Sequence, residues 1–177
     1  MKKKEEFKQD LLKFYRLIQG NEMICFQDET SLQLASNSHK ILAEKGSKPV
    51  VQCLGGRARI NVFGIINPQE GTLFTESYPR LNAATFQQFL EHFLASLLPD
   101  QKIYLVVDNA RAHHAVCLQS FLEQHQSQLE LLYLPPYSPE LNPIERFWQY
   151  LKQEYVYNKI KKVNLCVIDT VYLALKQ

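Results

Sequence analysis

Five consecutive apolar residues, Ile103-Tyr-Leu-Val-Val107, show no polar alternation and are followed at once by Asp108. A strand that is apolar on both faces has to be covered on both faces, which calls for a sheet layered between helices. The flanking sequence supplies them. Between Ala83 and Leu98 the residues Phe86, Phe89, Leu90, Phe93, Leu94 and Leu97 recur at three- and four-residue steps, and Pro99 ends the pattern. Downstream, Ala115 to Gln124 reads as a helix, Leu129 to Leu134 as a second strand, Pro143 to about Tyr157 as a helix and Leu165 to Leu175 as a last one. The earlier part of the chain has shorter apolar runs: Met23 to Phe26, Val50 to Leu54, Ile60 to Ile66 and Thr72 to Thr75. Gly55-Gly56, Asn67-Pro68 and Gly71 punctuate them as turns, so three or four antiparallel strands are expected. The expected fold class is α/β, with the order β-β-β-α-β-α-β-α. A hairpin half followed by two right-handed crossovers builds a mixed sheet with helices on both faces.

With 177 residues, 46% of them hydrophobic and 21% charged, the chain suits one globular domain that buries a core without disulfide or zinc staples. No stretch is long, apolar and charge-free enough to span a bilayer, and the start Met1-Lys-Lys-Lys-Glu-Glu lacks the apolar centre of a signal peptide. A cytoplasmic location without membrane attachment is therefore expected. Residues 1–20 read as a basic amphipathic lead-in helix or linker ending at Gly20, and residues 21–177 as the domain proper. The balance of 20 Lys+Arg against 18 Asp+Glu does not by itself mark a nucleic-acid binder, so such a role has to come from a site. Cys25, Cys53, Cys117 and Cys166 are scattered singly and read as free thiols, and the lone His113-His114 pair does not make a zinc site.

Acids stand at the ends of the apolar runs. Met23-Ile-Cys-Phe-Gln leads into Asp28, Ile103 to Val107 into Asp108, and the third run reaches Glu145 through a proline-stiffened loop. Reactive groups of open α/β sheets lie beyond the carboxyl ends of the strands. Each acid also has a structural account: Asp28 as a turn cap with Glu29 solvated beside it, Asp108 or Asn109 as a helix N-cap, and Glu145 in a capping box with Asn142. Those accounts do not explain three carboxylates delivered to one edge. Converging acids repel unless a cation joins them, and all-oxygen donors select hard ions such as Mg²⁺. Two such ions about 4 Å apart serve in-line displacement at phosphodiesters.

Three blocks carry a resemblance. Phe26-Gln-Asp-Glu-Thr30, Val107-Asp-Asn-Ala-Arg-Ala-His113 and Leu134-Pro-Pro-Tyr-Ser-Pro-Glu-Leu-Asn-Pro-Ile-Glu-Arg-Phe-Trp148 resemble the signature blocks of DDE transposases in the mariner-related insertion-sequence superfamily. The resemblance runs from about Met23 to Lys152 and includes the strand Arg59-Ile-Asn-Val-Phe-Gly64. It implies a ribonuclease H-like fold and a Mg²⁺-dependent endonuclease, with two ions, Mn²⁺ as a substitute, and Asp28, Asp108 and Glu145 as catalytic metal ligands. Asn109 and His113 match the pattern after the second aspartate and would support the ligands. The separation 145 − 108 = 37 is slightly longer than the family implies. Trp148, three residues beyond Glu145 on the same helix, reads as core packing rather than base stacking.

What the resemblance implies is cleavage at element ends and transfer of the 3′-hydroxyl into target DNA. Its partners would be terminal inverted repeats, target DNA, a second copy forming a homodimer, and a separately encoded or missing N-terminal helix-turn-helix half; the place of action would be the nucleoid. A non-catalytic remnant that only associates with DNA or with full-length transposase is the alternative. Another ribonuclease H-like nuclease would fit the acids but not the Pro-Pro-Tyr-Ser-Pro-Glu-Leu-Asn-Pro stretch.

Overall fold

A computed structural model describes residues 2–33, 44–47 and 59–153. The expected strand Val50 to Leu54, the helix Leu165 to Leu175, Cys53 and Cys166 lie outside these residues, as does the end of the helix that starts near Pro143. The described elements are α1 (Lys2–Leu17), β1 (Glu22–Gln33), β2 (Arg59–Asn67), β3 (Thr72–Tyr78), α2 (Ala83–Ala95), β4 (Lys102–Val107), α3 (Val116–Gln124), β5 (Leu129–Tyr133) and α4 (Ile144–Leu151). From β1 onward this is the expected β-β-β-α-β-α-β-α order.

The five strands form one sheet in the order β3-β2-β1-β4-β5. β1 pairs antiparallel with β2, and β2 with β3, whereas β4 runs parallel to both β1 and β5. The hairpin between β2 and β3 closes through Asn67, whose Oδ1 accepts from the Gln69 amide at 3.0 Å, and through Gly71, at φ 68°. α2 begins with a reciprocal capping box: Asn82 Oδ1 accepts from the Thr85 amide at 3.0 Å, and Thr85 Oγ1 from the Asn82 amide at 3.1 Å.

Helices cover both faces. On one, Phe86, Phe89, Leu90 and Phe93 of α2 and Leu118 and Phe121 of α3 pack with Cys25, Phe63, Ile65, Ile103, Leu105 and Val107. On the other, Ile24, Phe26, Tyr104, Val106 and Leu134 meet Phe7, Leu11 and Phe14 of α1, with Phe14 set edge-on to Tyr104 at 4.5 Å between ring centroids. The sequence set residues 1–20 apart as a lead-in; their helix lies directly on the sheet. α4 occupies the same face over β2, where Ile144 and Trp148 pack with Val62. Core packing of Trp148 is thus what the structure shows, with the residue 2% exposed.

One expectation is corrected. Asp28 does not end its strand: β1 continues to Gln33, because residues past Phe26 keep pairing with β2 up to Gln33↔Arg59. What ends there is the parallel neighbour. The last β1–β4 pair is Phe26↔Val106, so Asp28, still within β1, and Asp108, just past the end of β4, each lie two residues beyond it.

Candidate active site

Alternation along β1 separates Asp28 from Glu29 by sheet face. Asp28 lies on the face of Ile24 and Phe26, beneath α4, and pairs across the ladder with Gly64. A Cβ on Gly64 would stand 2.6 Å from Trp148 Cζ2, so only glycine lets the indole settle on β2. With Trp148 seated there, Glu145, one turn earlier on α4, comes over the edge of the sheet beside Asp28. Asn142 anchors the approach to the helix by donating from Nδ2 to the Gln27 carbonyl at 2.8 Å, in a buried position. The capping box expected around Glu145 does not form. The Asn142 amide donates instead to the Pro139 carbonyl at 2.9 Å, and Asn142 Oδ1 accepts from the Ile144 amide at 3.4 Å rather than from that of Glu145, so the Glu145 carboxylate is not drawn into a cap.

Asp28, Asp108 and Glu145 line one cleft of about 440 Å³, whose other wall is the loop from Leu134 to Pro139. Asn109, Ala110 and Asn142 complete the lining, in which no lysine or arginine stands among the described residues. The carboxylates are electrostatically unequal. Burial, reinforced by the charges of Glu145, Glu29 and Asp108 and opposed by a hydrogen bond from the Glu29 amide, pushes Asp28 from 3.8 up to about 7. Asp108 is held below its usual range, chiefly by His113, whose Nδ1 lies 3.0 Å from Asp108 Oδ1; the Ala110 amide donates to the same oxygen at 2.8 Å.

His113 is buried against Phe86, with ring centroids 4.5 Å apart. Burial pulls its pKa down, but Asp108 and Glu29 outweigh that and raise it above the usual value. Its Nε2 points toward Glu29 Oε2 at 3.9 Å. Glu29 is therefore not the solvated neighbour expected from the sequence: burial raises its pKa, and Gln27 Nε2 donates to it at 3.2 Å. Asn109 donates from Nδ2 to the Leu134 carbonyl, tying the end of β4 to the loop after β5, and its Oδ1 meets His114 Nε2 at 3.3 Å. Sequence reasoning missed Gly64 and Glu29, because both act through partners distant along the chain.

Among the described residues no three His, Cys, Asp or Glu side chains are gathered into a ready-made metal cage. The donor set nevertheless suits a hard divalent ion. It is all oxygen, it has no lysine or arginine counter-charge among the described residues, and it holds an aspartate whose ionisation is opposed by its neighbours. Mg²⁺ commonly takes one or two carboxylates and fills its remaining positions with water and phosphate oxygens.

A family model described as DDE superfamily endonuclease matches residues 23–165. An uncharacterized protein y4pE/y4sA of Sinorhizobium fredii is 29% identical over 101 residues, covering 57% of this chain and 71% of that protein. The insertion element IS630 uncharacterized 39 kDa protein of Shigella sonnei is 25% identical over 128 residues, covering 72% of this chain and 37% of that protein. Among solved structures, the fold matches a pre-cleavage Mos1 transpososome with a TM-score of 0.71 at 18% identity, and the mariner Mos1 paired end complex with Mg with 0.68 at 20%. Each match covers 99% of this chain and 55% of the Mos1 chain. The HTLV-2 integrase catalytic core matches with 0.55 at 12% identity, over 86% of this chain and 82% of that one. The chain thus spans about half of Mos1 and little more than a third of the insertion-element protein. The ribonuclease H-like fold and the resemblance to mariner-related insertion sequences are borne out together: the chain belongs to the DDE endonuclease superfamily.

Proposed function

We propose that the chain is the catalytic domain of a DNA transposase, cutting phosphodiesters at element ends and joining the freed 3′-hydroxyl to target DNA. The observation that carries this reading is the convergence of Asp28, Asp108 and Glu145 on one cleft, with no basic residue among the described residues that line it. In the cut, a water oxygen bonds to phosphorus as the bond from phosphorus to the 3′-oxygen breaks, and a proton released by the water balances the one taken up by the departing 3′-hydroxyl. In transfer, that 3′-oxygen gives up its proton and bonds to a target phosphorus as the target's own bond from phosphorus to its 3′-oxygen breaks, and the target's 3′-oxygen leaves as a hydroxyl. The three carboxylates would hold two Mg²⁺ ions, with Mn²⁺ as a substitute, in keeping with the Mos1 paired end complexes solved with Mg and with Mn. When bound, the ions supply charge that stabilises the attacking and leaving oxygens of the displacement. His113 and the Ala110 amide keep Asp108 ionised and oriented; Asn109 and Asn142 hold the loop and α4 against the two strands.

The partners proposed are terminal-repeat DNA, target DNA, a second copy of the chain and an N-terminal helix-turn-helix half, acting in the cytoplasm at the nucleoid. No helix among the described residues is long and apolar enough to cross a membrane. The near-even balance of 20 Lys+Arg against 18 Asp+Glu favours one second reading, a remnant that folds and associates but does not cut. Incubating purified chain and duplex DNA carrying the element ends with Mg²⁺ decides between them. Catalysis requires Mg²⁺-dependent nicks that fall roughly 100-fold or more in Asp108→Asn and Glu145→Gln, the loss typical of removing a key electrostatic group. A wild-type chain that never cuts supports the remnant, and unchanged cutting by either variant overturns the triad.

A further inference from the structure

Tyr137 is 94% exposed, more than any other large hydrophobic side chain among the described residues. It is also the one non-glycine residue among them with positive φ, at 56°. It follows Pro136 in a tight turn, at a position that normally takes Gly or Asn, and the left-handed region is unfavourable for an aromatic L-residue. Several contacts impose that backbone. Lys4 Nζ, from α1, donates to the Tyr137 carbonyl at 2.6 Å and pairs with Glu140 at 2.6 Å. Buried Ser138 donates from Oγ to the Pro136 carbonyl at 3.2 Å, and Asn109 holds the Leu134 carbonyl at the start of the loop.

The ring itself contributes no packing, so stability does not account for its placement. Location does. Tyr137 lines the cleft of Asp28, Asp108 and Glu145, at the tip of a wall made by Leu134, Pro135, Pro136 and Pro139. A phosphodiester at the carboxylates has its neighbouring sugar and base beside this apolar wall. A base inside a duplex has both faces stacked, whereas an unpaired one offers a free π-face.

We propose that Tyr137 is a stacking platform for an unpaired nucleobase of DNA next to the phosphate being processed. The proposal rests on reading the carboxylate cleft as a phosphodiester site. Its test uses the full chain in Mg²⁺ with short single-stranded DNA carrying 2-aminopurine at successive positions, read by fluorescence quenching and by anisotropy. Wild type should quench the probe strongly at one position. Tyr137→Ala should lose the quenching and bind about 5- to 150-fold more weakly, the range that stacking carries per base, while Tyr137→Phe and Tyr137→Trp keep both. Tyr137→Gly separates ring from backbone: glycine adopts φ 56° without strain, so its thermal midpoint should equal or exceed wild type while stacking is lost. The proposal is overturned by absence of quenching with wild type, by binding of Tyr137→Ala within twofold of wild type, or by equal losses in Phe and Ala. If Asp108→Asn cuts as well as wild type while Tyr137→Ala still loses quenching, the triad falls and the platform stands; a wild type that cuts but shows no stacking gives the reverse.

Discussion

Replacing Asp28 by asparagine should make the metal-free domain more stable and end its activity. In the folded protein Asp28 keeps its proton up to a pH of about 7, against an ordinary value of 3.8, because burial and the charges of Glu145, Glu29 and Asp108 oppose ionisation. Below pH 3.8 both folded and unfolded chains carry that proton and no penalty exists. Between 3.8 and about 7 the unfolded chain has released it and the folded chain has not, so stability falls as pH rises. Above about 7 the loss is complete. The interval of about three pH units, at ~1.4 kcal/mol each, amounts to about 4 kcal/mol for the metal-free protein. Asparagine keeps the shape without the charge, so Asp28→Asn should gain a few kcal/mol over wild type at pH 8 in EDTA and almost nothing at pH 4. Trp148, the single tryptophan and 2% exposed, makes denaturant titration by fluorescence a direct assay. Millimolar Mg²⁺ should then narrow the gap by stabilising wild type selectively, since binding to the folded state alone adds to its stability. A variant no more stable than wild type at pH 8, or one equally favoured at pH 4 and pH 8, would refute the electrostatic account.

Two further substitutions probe the seating of α4. Gly64→Ala places a methyl 2.6 Å from the Trp148 ring, so it should cost about 1–3 kcal/mol and red-shift Trp148 emission; cleavage should fall with it as Glu145 is displaced, and unchanged emission would show that the helix does not rest on that glycine. Asn142→Ala leaves the Gln27 carbonyl without its donor in a buried place, which should cost about 1–3 kcal/mol by denaturant titration. A loss under 0.5 kcal/mol, the level of ordinary surface substitutions, would mean that this hydrogen bond does not anchor the helix.

The local parts of the fold were legible in residue spacing. The apolar run at 103–107, the helical stripe from Phe86 to Leu94 and the turn at Asn67 to Gly71 each declare themselves within a few residues, and the structure places elements there within about one turn. What escaped was non-local. By sequence the first strand ends at Asp28, yet Glu29-Thr-Ser continues it because β2 goes on pairing there and Thr30 is buried on the sheet. The docking of α1 depends on Tyr104 and Val106, some ninety positions away. Glu145 carried a capping-box pattern that the structure resolves otherwise, since Pro139 takes the Asn142 amide. Gly64 looked like an ordinary strand glycine until the indole above it was visible. That the three acids share one cleft was readable because strand ends in such sheets concentrate chemistry, although Asp28 reached the edge for a different reason: its neighbour stops and its own strand does not.

The distribution of the acids along the chain sets an order of assembly. Asp28 is on the first strand, Asp108 follows the fourth, and Glu145 is on the helix after the fifth. During synthesis the N-terminal elements emerge first, and all five strands of the sheet are complete in the nascent chain before α4 exists. Until Trp148 settles over Gly64, the two aspartates lie side by side without their third partner. α4 is the last of the described elements to be made, so Glu145 can join the two aspartates only after every strand that holds them has been synthesised.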